Sequence, residues 1–453
     1  MLVCGVDIGT TNLKVSIVDE TGVSKWTRAV PTPRASASTG AGVDAIQLLG
    51  AIEDLIIEGW TTVGEGTPLS AIATTGVGED GVFVDQALIP LDYAIPWYDR
   101  RAAGEAAEIR ESAAATTCAG IEMEHTRTGA KWLWLRRHRP AMFVQRSTWI
   151  ALTDYPSVAW TGRPFISETL ASRTGCYDVG RRDWIEALLE FCGAPELPEV
   201  LRAGDVVGSM RDGRLTQSGA VTMRTLVVAG GHDHPVAAAM IQRIDPTARV
   251  DSIGTANVIY GESATFPLDR FDRYLAFMVP VQAKTGVACL GVFEFSSTIQ
   301  RLQGQDVDIR AVLALPKIPG EPSFFASSTD LSTAADARSV LEVAGITARR
   351  MFDHMRFAGV RDADIYATGG WSRSRSLLEL RASIFGRSVH VLSEQEPAVV
   401  GAALLAAEGL GELVDFSTGV TTQTVDPDPR WVTFYEEKYQ ALFGASHSQA
   451  DKD

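Results

Sequence analysis

At 453 residues the chain exceeds what one ordinary hydrophobic core organises, so two domains are the first expectation. Apolar residues at 45% and charged residues at 21% exclude a disordered chain. A net charge of −15 argues against nucleic acid or an anionic membrane as the main ligand, so an anionic substrate needs a local site of backbone N–H groups or a cation.

The chain opens on Leu2-Val3-Cys4-Gly5-Val6-Asp7-Ile8, breaks at Gly9-Thr10-Thr11-Asn12, and resumes alternating at Leu13-Lys14-Val15-Ser16-Ile17. Alternation on both sides of a polar turn predicts a β-hairpin. Helical spacing follows at Ala45, Leu48, Leu49, Ile52, Leu55 and Ile56, then strands at 69–74 and 82–85. Helices are predicted at 101–112, 129–137 and 148–160. A strand resumes at Leu226-Val227-Val228, ahead of Gly230-Gly231-His232-Asp233-His234-Pro235. The strand–turn pattern returns in Asp251-Ser252-Ile253-Gly254-Thr255-Ala256-Asn257, a short echo of Asp7 to Asn12. Helices at 334–356, 376–385 and 397–408 flank a strand at 365–368 that ends in Gly369-Gly370, and the tail beyond Tyr439 reads as frayed. Both halves therefore read as a mixed sheet covered by helices, with a domain break at 225 that gives segments 1–224 and 225–453.

The five cysteines (Cys4, Cys118, Cys176, Cys192, Cys289) are scattered, with no CxxC or zinc spacing, and read as reduced thiols. Neither a signal peptide nor a run of about 18 apolar residues is present. A cytoplasmic location without membrane or nucleic-acid partners is expected.

Gly76-Val77-Gly78-Glu79-Asp80-Gly81 satisfies GxGxxG, yet a strand and not a helix follows, so no dinucleotide site is expected there. The first turn is more informative: Gly9 lets the backbone approach a ligand, and Thr10, Thr11 and Asn12 offer hydroxyls, an amide and N–H donors. Asp7 could hold Mg²⁺ directly or through water, because hard cations prefer carboxylate oxygens. An ordinary polar hairpin reads the same way, and the second turn at Gly254-Thr255 tips the balance toward a phosphate clamp. Trp97-Tyr98-Asp99-Arg100-Arg101 sets an indole beside an acid and two bases, which suits a carbohydrate or a core tryptophan before a charged helix start. Glu79 and Asp80 would be paired acceptors for sugar hydroxyls, and as carboxylates would repel an anionic substrate. In His232-Asp233-His234 successive residues rarely point at one ion, so a zinc pair is disfavoured. Asp233 or His234 is expected to cap a helix over 235–240 with Pro235 at its first position, and the carboxylate of Asp233 is fixed there beside two glycines that leave room for a substrate hydroxyl.

Together these pieces resemble the FGGY family of carbohydrate kinases. Gly5 to Lys14 resembles its first phosphate motif, Trp97 to Arg101 its sugar element, and Ala171-Ser172-Arg173-Thr174-Gly175 the close of its amino-terminal domain. Gly231-His232-Asp233 falls where the family keeps its catalytic aspartate, Asp251 to Asn257 resembles its second phosphate motif, and Ala367 to Gly370 with Ser374 resembles its adenosine end. The resemblance implies an α/β protein of two ribonuclease-H-like (actin-like ATPase) domains flanking a deep cleft, the first mainly binding sugar and the second mainly ATP. It implies ATP-dependent phosphorylation of a hydroxyl on a neutral ketose or polyol, with Asp233 as general base and as a Mg²⁺ ligand, with Asp7, directly or through water. Glu79, Asp80, Trp97, Asp99, Arg101 and Asp233 would bind the sugar. Gly9, Thr10, Thr11, Asn12, Lys14, Gly254, Thr255, Gly369, Gly370 and Ser374 would bind ATP and its phosphates. A homodimer is one expected assembly. Glu79-Asp80 stands where xylulose kinases carry Met-His and glycerol kinases Arg-Glu, so neither substrate is named, and a family loop is cut short near Gly320 to Ser332. The alternatives are a catalytically silent sugar or nucleotide sensor on the same fold and a protein-binding ATPase; an intact base position argues against both.

Overall fold

The hairpin at the start of the chain sets the plan for everything around the site. The structure, a computed structural model, describes residues 1–37, 40–112, 120–143, 147–254, 256–266, 274–295, 334–394, 396–412 and 419–450. The organising elements begin with β1 (Leu2–Ile8), β2 (Asn12–Asp19), β3 (Ser24–Pro31), α1 (Ala45–Val63) and β4 (Ala71–Gly76). They continue with β5 (Val206–Ser209), β6 (Leu226–His232), α2 (Asp233–Gln242), β7 (Arg249–Ile253), β8 (Ala256–Ser263) and β9 (Val287–Glu294). The last are α3 (Ala334–Phe357), β10 (Ile365–Thr368), α4 (Arg375–Phe385), β11 (Val389–Leu392), α5 (Pro397–Gly409), β12 (Thr422–Val425) and α6 (Pro429–Ala450).

The chain divides into two units. The first holds Met1–Pro246, Ala276–Ala288 and Glu396–Val420; the second holds Thr247–Leu275, Cys289–Gln395 and Thr421–Asp453. The break expected at 225 instead falls between β5 and β6, which pair antiparallel within one sheet. The reason is that β6 continues the first sheet by pairing parallel to β4, so the chain cannot leave that unit before α2 is packed.

The sheet of the first unit runs β5-β6-β4-β1-β2-β3. β1 pairs antiparallel with β2 and parallel with β4, so β1 is central and buried on both faces. Successive side chains of a strand point to opposite faces. Cys4, Val6 and Ile8 accordingly enter a core with Leu48, Ile52, Leu55 and Ile56 of α1. On the other face lie Gly5 and Asp7. A Cβ on Gly5 would stand 1.9 Å from the carbonyl oxygen of Val399, so glycine is what lets α5 lie directly on β1. The second sheet has seven strands among the described residues and repeats the plan: after a short edge strand, Ala276–Met278, the order is β9-β8-β7-β10-β11-β12, with β7 antiparallel to β8 and parallel to β10. In both hairpins the glycine N–H closes the turn, Gly9 donating to Asn12 O three residues on and Gly254 to Ala256 O two residues on, each at 3.1 Å. The short sequence echo is thus a repeated piece of architecture.

The helix expected over 148–160 is a strand, Thr148–Ala151, followed by a short helix, Tyr155–Thr161. The short apolar run Trp149-Ile150-Ala151-Leu152 does not separate strand from helix by periodicity. Pairing with Gly81–Val84 decides it, and Gly81 makes room for the indole of Trp149. Beyond the expected fraying point α6 continues to Ala450; up to that point Tyr435 Oη donates to Glu342 (2.7 Å) and Tyr439 Oη to Asp353 (2.5 Å). No helix among the described residues is long and apolar enough to cross a membrane. The shortened loop near 320–332, Cys118 and Thr255 lie outside the described residues.

Candidate active site

The first turn is built from its carbonyls outward. Gly9 O accepts from Thr32 Oγ1 (2.7 Å), Thr10 O from Arg34 Nη2 (3.1 Å) and Thr11 O from Thr32 N–H (3.0 Å). Trp97 Nε1 donates to Thr10 Oγ1 at 2.8 Å. The N–H groups of Thr10 and Thr11 form no hydrogen bond among the described residues. A turn whose carbonyls are all engaged and whose N–H donors remain available suits an anion.

Asp7 and Lys14 are cross-strand partners, so their side chains share a face. Lys14 Nζ lies 3.8 Å from Asp7 Oδ2 and 2.5 Å from Glu396 Oε2. Burial pushes the Asp7 carboxyl up to about 7; Lys14 opposes that rise, and the negative charges of Asp233 and Glu396 add to it. Burial would lower the Lys14 ammonium, but the carboxylates of Asp7, Glu396 and Asp233 hold it above its ordinary value. Asp7 Oδ1 is buried without a hydrogen-bond partner. Two oxygens of one carboxylate, one of them unengaged, suit a Mg²⁺ ion, which takes one or two carboxylates and fills the rest of its shell with water and phosphate. A fuller cage of three His, Cys, Asp or Glu side chains is absent among the described residues.

Asp233 begins α2, two positions before the expected start at Pro235, and His232, not Asp233 or His234, is the N-cap. Its Oδ1 accepts from His234 N–H at 2.7 Å, and His232 Nε2 stands 3.4 Å from the same oxygen. Burial drives the His232 imidazole down to about 3, so the ring is neutral, and no His/Cys/Asp/Glu metal cluster forms around it among the described residues. The glycines before it serve a purpose other than the expected space for a hydroxyl. A Cβ on Gly230 would lie 2.0 Å from Thr74 O, and one on Gly231 (φ +137°) would lie 2.0 Å from Thr169 Oγ1. They accommodate the irregular register of β6 against β4, and His232 N–H donates to Thr169 Oγ1 at 2.9 Å. The base position is set by this bulge.

Glu79 and Asp80 follow β4 and are both buried. Glu79 Oε1 accepts from Arg127 Nη1 (2.7 Å) and from Arg173 Nε (2.9 Å) and Nη2. Burial works against ionisation of Glu79, yet Arg173 and Arg127 outweigh it and bring the carboxyl down to about 2. Lys131 Nζ lies 3.5 Å from Asp80 Oδ1 and donates to Glu79 O and Ile95 O, each at 2.9 Å. Burial raises the Asp80 carboxyl to about 6 despite Lys131 and the N–H of Trp97. Three cations thus face two carboxylates, and the expected repulsion of an anionic substrate has no basis in this geometry. Asp99 and Arg101 bind each other, with Nε–Oδ1 at 2.9 Å and Nη2–Oδ2 at 2.7 Å, and Arg101 also donates to Ala41 O at 2.7 Å.

In the second unit Gly254 closes its hairpin, and Asp251 below it accepts from Asn257 Nδ2 at 2.6 Å. Gly369 and Gly370 end β10, and Ser374 caps α4 by accepting from Leu377 N–H at 3.4 Å. Next to them is a cavity of about 350 Å³, lined by Ser372, Arg373, Leu378, Leu392 and Gln423 among others.

Sequence models bear directly on this arrangement. The model for the FGGY family of carbohydrate kinases, N-terminal domain, matches residues 2–240, and that for the C-terminal domain matches 307–410. The chain belongs to the FGGY family of carbohydrate kinases. It is therefore a sugar kinase, an enzyme that consumes ATP. Xylulose kinase of Escherichia coli (strain K12) is 25% identical over 445 residues, covering 89% of this chain and 88% of the relative. The crystal structure of xylulose kinase from Rhodospirillum rubrum has a TM-score of 0.85 at 23% identity and covers 99% of each chain. That of gluconate kinase from Lactobacillus acidophilus has a TM-score of 0.85 at 19% identity, covering 100% of this chain and 98% of its own. These likenesses establish the α/β fold with two actin-like ATPase-fold domains.

Within the family's amino-terminal domain the structure brings Asp7, Thr10, Lys14 and Trp97 to one turn, with Asp233 in electrostatic reach of Asp7 and Lys14. Four residues escaped the sequence reading: Arg127, Lys131, Arg173 and Glu396. A signal existed for the first three, since adjacent acids at a strand end, once buried, demand cations. Arg173 even lay inside a quoted motif. Glu396 had none.

Proposed function

We propose that this kinase transfers the γ-phosphoryl group of ATP to a hydroxyl of a pentulose, with Asp233 as the general base. The observation that carries the reading is the carboxylate of Asp233 at a helix start, in electrostatic reach of Asp7 and Lys14, whose connecting turn keeps available N–H donors. The pentulose assignment is supported by the xylulose kinases among the relatives. The sugar hydroxyl attacks phosphorus, its proton passes to Asp233, and ADP leaves with the electrons of the broken P–O bond. His234 N–H fixes Oδ1 of Asp233, so Oδ2 is the oxygen presented to the proton. The turn at Gly9, Thr10, Thr11 and Asn12 receives phosphate, while Gly254, Gly369, Gly370 and Ser374 of the second unit serve ATP. Asp7 would hold Mg²⁺, which when bound neutralises charge on the phosphates. Trp97 and Asp99 serve the sugar, whereas Glu79 and Asp80 act through the cations they bind. The buried free thiols among the described residues fit a reducing, cytoplasmic setting.

Phosphoryl transfer depends mostly on positioning and charge, and a positioned base contributes about 10²–10⁴-fold. Asp233→Asn should lower kcat with ATP and D-xylulose by that range while ATP binding, read by calorimetry, stays intact. Unchanged kcat in Asp233→Asn overturns the base assignment. Turnover on a panel of ketoses, pentitols and glycerol with none on pentuloses overturns the substrate.

A further inference from the structure

We infer that Glu396 is a positioning residue for the phosphoryl transfer, acting through Lys14. The inference rests on the reading of the first turn as the phosphate site, and it adds a residue 382 positions away in sequence. Glu396 is the N-cap residue of α5, but its side chain does not cap that helix. It meets Lys14 Nζ at 2.5 Å instead, and both groups are partly buried, at 29% and 25% of side-chain exposure.

Three features place it there. Gly5 and Asp7 lie on the face of β1 that α5 covers, because they are two residues apart on one strand. The approach of α5 is fixed by backbone: a Cβ on Gly5 would lie 1.9 Å from Val399 O and 2.7 Å from Ala403 N. Gly401 is equally committed, since its Cβ would lie 2.7 Å from Val236 O of α2, the helix that Asp233 begins. One helix is thus packed by its backbone against both the Asp7 strand and the Asp233 helix, and its first turn supplies the carboxylate that grips Lys14.

A free lysine side chain has among the largest rotamer entropies of any residue, and a cation that must meet a phosphate works best when held in advance. Asp7 alone is 3.8 Å from the ammonium, outside hydrogen-bond distance, so Glu396 supplies the short contact. Glu396 touches no reacting atom in this scheme; it sets where Lys14 stands.

The test is a double-mutant cycle on the full chain with Lys14→Met, Glu396→Ala and the pair, reading kcat and the KM of ATP and of sugar separately. Glu396→Ala should lower kcat/KM for ATP about tenfold with the sugar KM within twofold and the melting temperature unchanged. The pair should be no worse than Lys14→Met alone. Glu396→Gln, which keeps an acceptor of the same shape, should recover part of the loss, and it replaces the alanine variant in the cycle if that variant does not fold. Effects of the two single changes that multiply independently overturn the role of Glu396 while leaving the phosphate site standing. A Lys14→Met enzyme with unaltered ATP kinetics overturns the phosphate-site reading itself, and the inference with it.

Discussion

Replacing Glu79 by glutamine should cost the protein about 3–5 kcal/mol of stability at neutral pH, the usual consequence of removing one member of a buried ion pair. The structure makes the cost specific. Glu79 Oε1 is the acceptor for Arg127 and Arg173, all three side chains are under a tenth exposed, and Arg173 Nη1 is already without a partner. Neutralising the carboxylate leaves two guanidinium groups facing each other in a buried space. Linkage provides an independent figure. A carboxyl lowered from 4.5 to about 2, at about 1.4 kcal/mol for each tenfold in proton affinity, corresponds to about 3 kcal/mol. Because the folded value is the lower one, this stabilisation is present above pH 4.5 and is lost as pH falls toward 2. Urea unfolding of wild type and Glu79→Gln, at pH 7 and then in steps down to pH 3, should show a gap that narrows with acid. A gap below about 1 kcal/mol at pH 7, or one indifferent to pH, would falsify the compensation argument. Loss of sugar affinity with stability intact would return Glu79 to the role of direct hydroxyl acceptor.

Three further outcomes are expected. Asp154 is buried, accepts from Ser167 N–H (2.7 Å) and Oγ (2.6 Å), and burial raises its carboxyl to about 7. Its contribution is therefore full below about pH 4 and lost as pH rises through 7, so Asp154→Asn should flatten the decline in unfolding free energy between pH 5 and 8. Gly5→Ala should cost about 1–3 kcal/mol by overpacking and should also lower kcat, since α5 cannot keep its seat on β1; a variant with wild-type melting and activity contradicts that packing. The four described cysteines Cys4, Cys176, Cys192 and Cys289 are buried, so a thiol reagent should titrate at most one of the five cysteines in the native protein and all five in guanidinium.

Much of this was legible locally. Strand alternation announced the hairpin, whereas the facing of Asp7 and Lys14 came with the register that the structure supplied. The strand before Gly369-Gly370 and the helices with 3.6-residue spacing were equally plain. What stayed hidden depends on contacts distant in sequence. Within 148–160 only Trp149-Ile150-Ala151-Leu152 is continuously apolar, too short to show a period, and its pairing with Gly81–Val84 made that part a strand. The glycines at 230 and 231 looked like space for a ligand but answer to Thr74 and Thr169, one on a neighbouring strand and one on a loop-borne turn of helix. Glu79 and Asp80 were visible as acids, but their compensation came from two separate places in the chain, the helix start that bears Arg127 and Lys131, and Arg173. The boundary at 225 failed because β6 and α5 both belong to the first unit.

That last membership has a consequence for synthesis. β1 ends at Ile8, and the helix that covers its Gly5–Asp7 face ends at Gly409, about 400 residues later in synthesis. At about 5–20 residues per second, roughly 20–80 s separate the two, during which the first unit has its sheet but lacks its cover. No truncation between 247 and 395 can yield a finished first unit, and a stalled or clipped nascent chain would present an uncapped apolar groove to chaperones and proteases. The turn between Asp7 and Lys14 thus gains its last neighbour, Glu396, only when a residue 382 positions beyond Lys14 has been made.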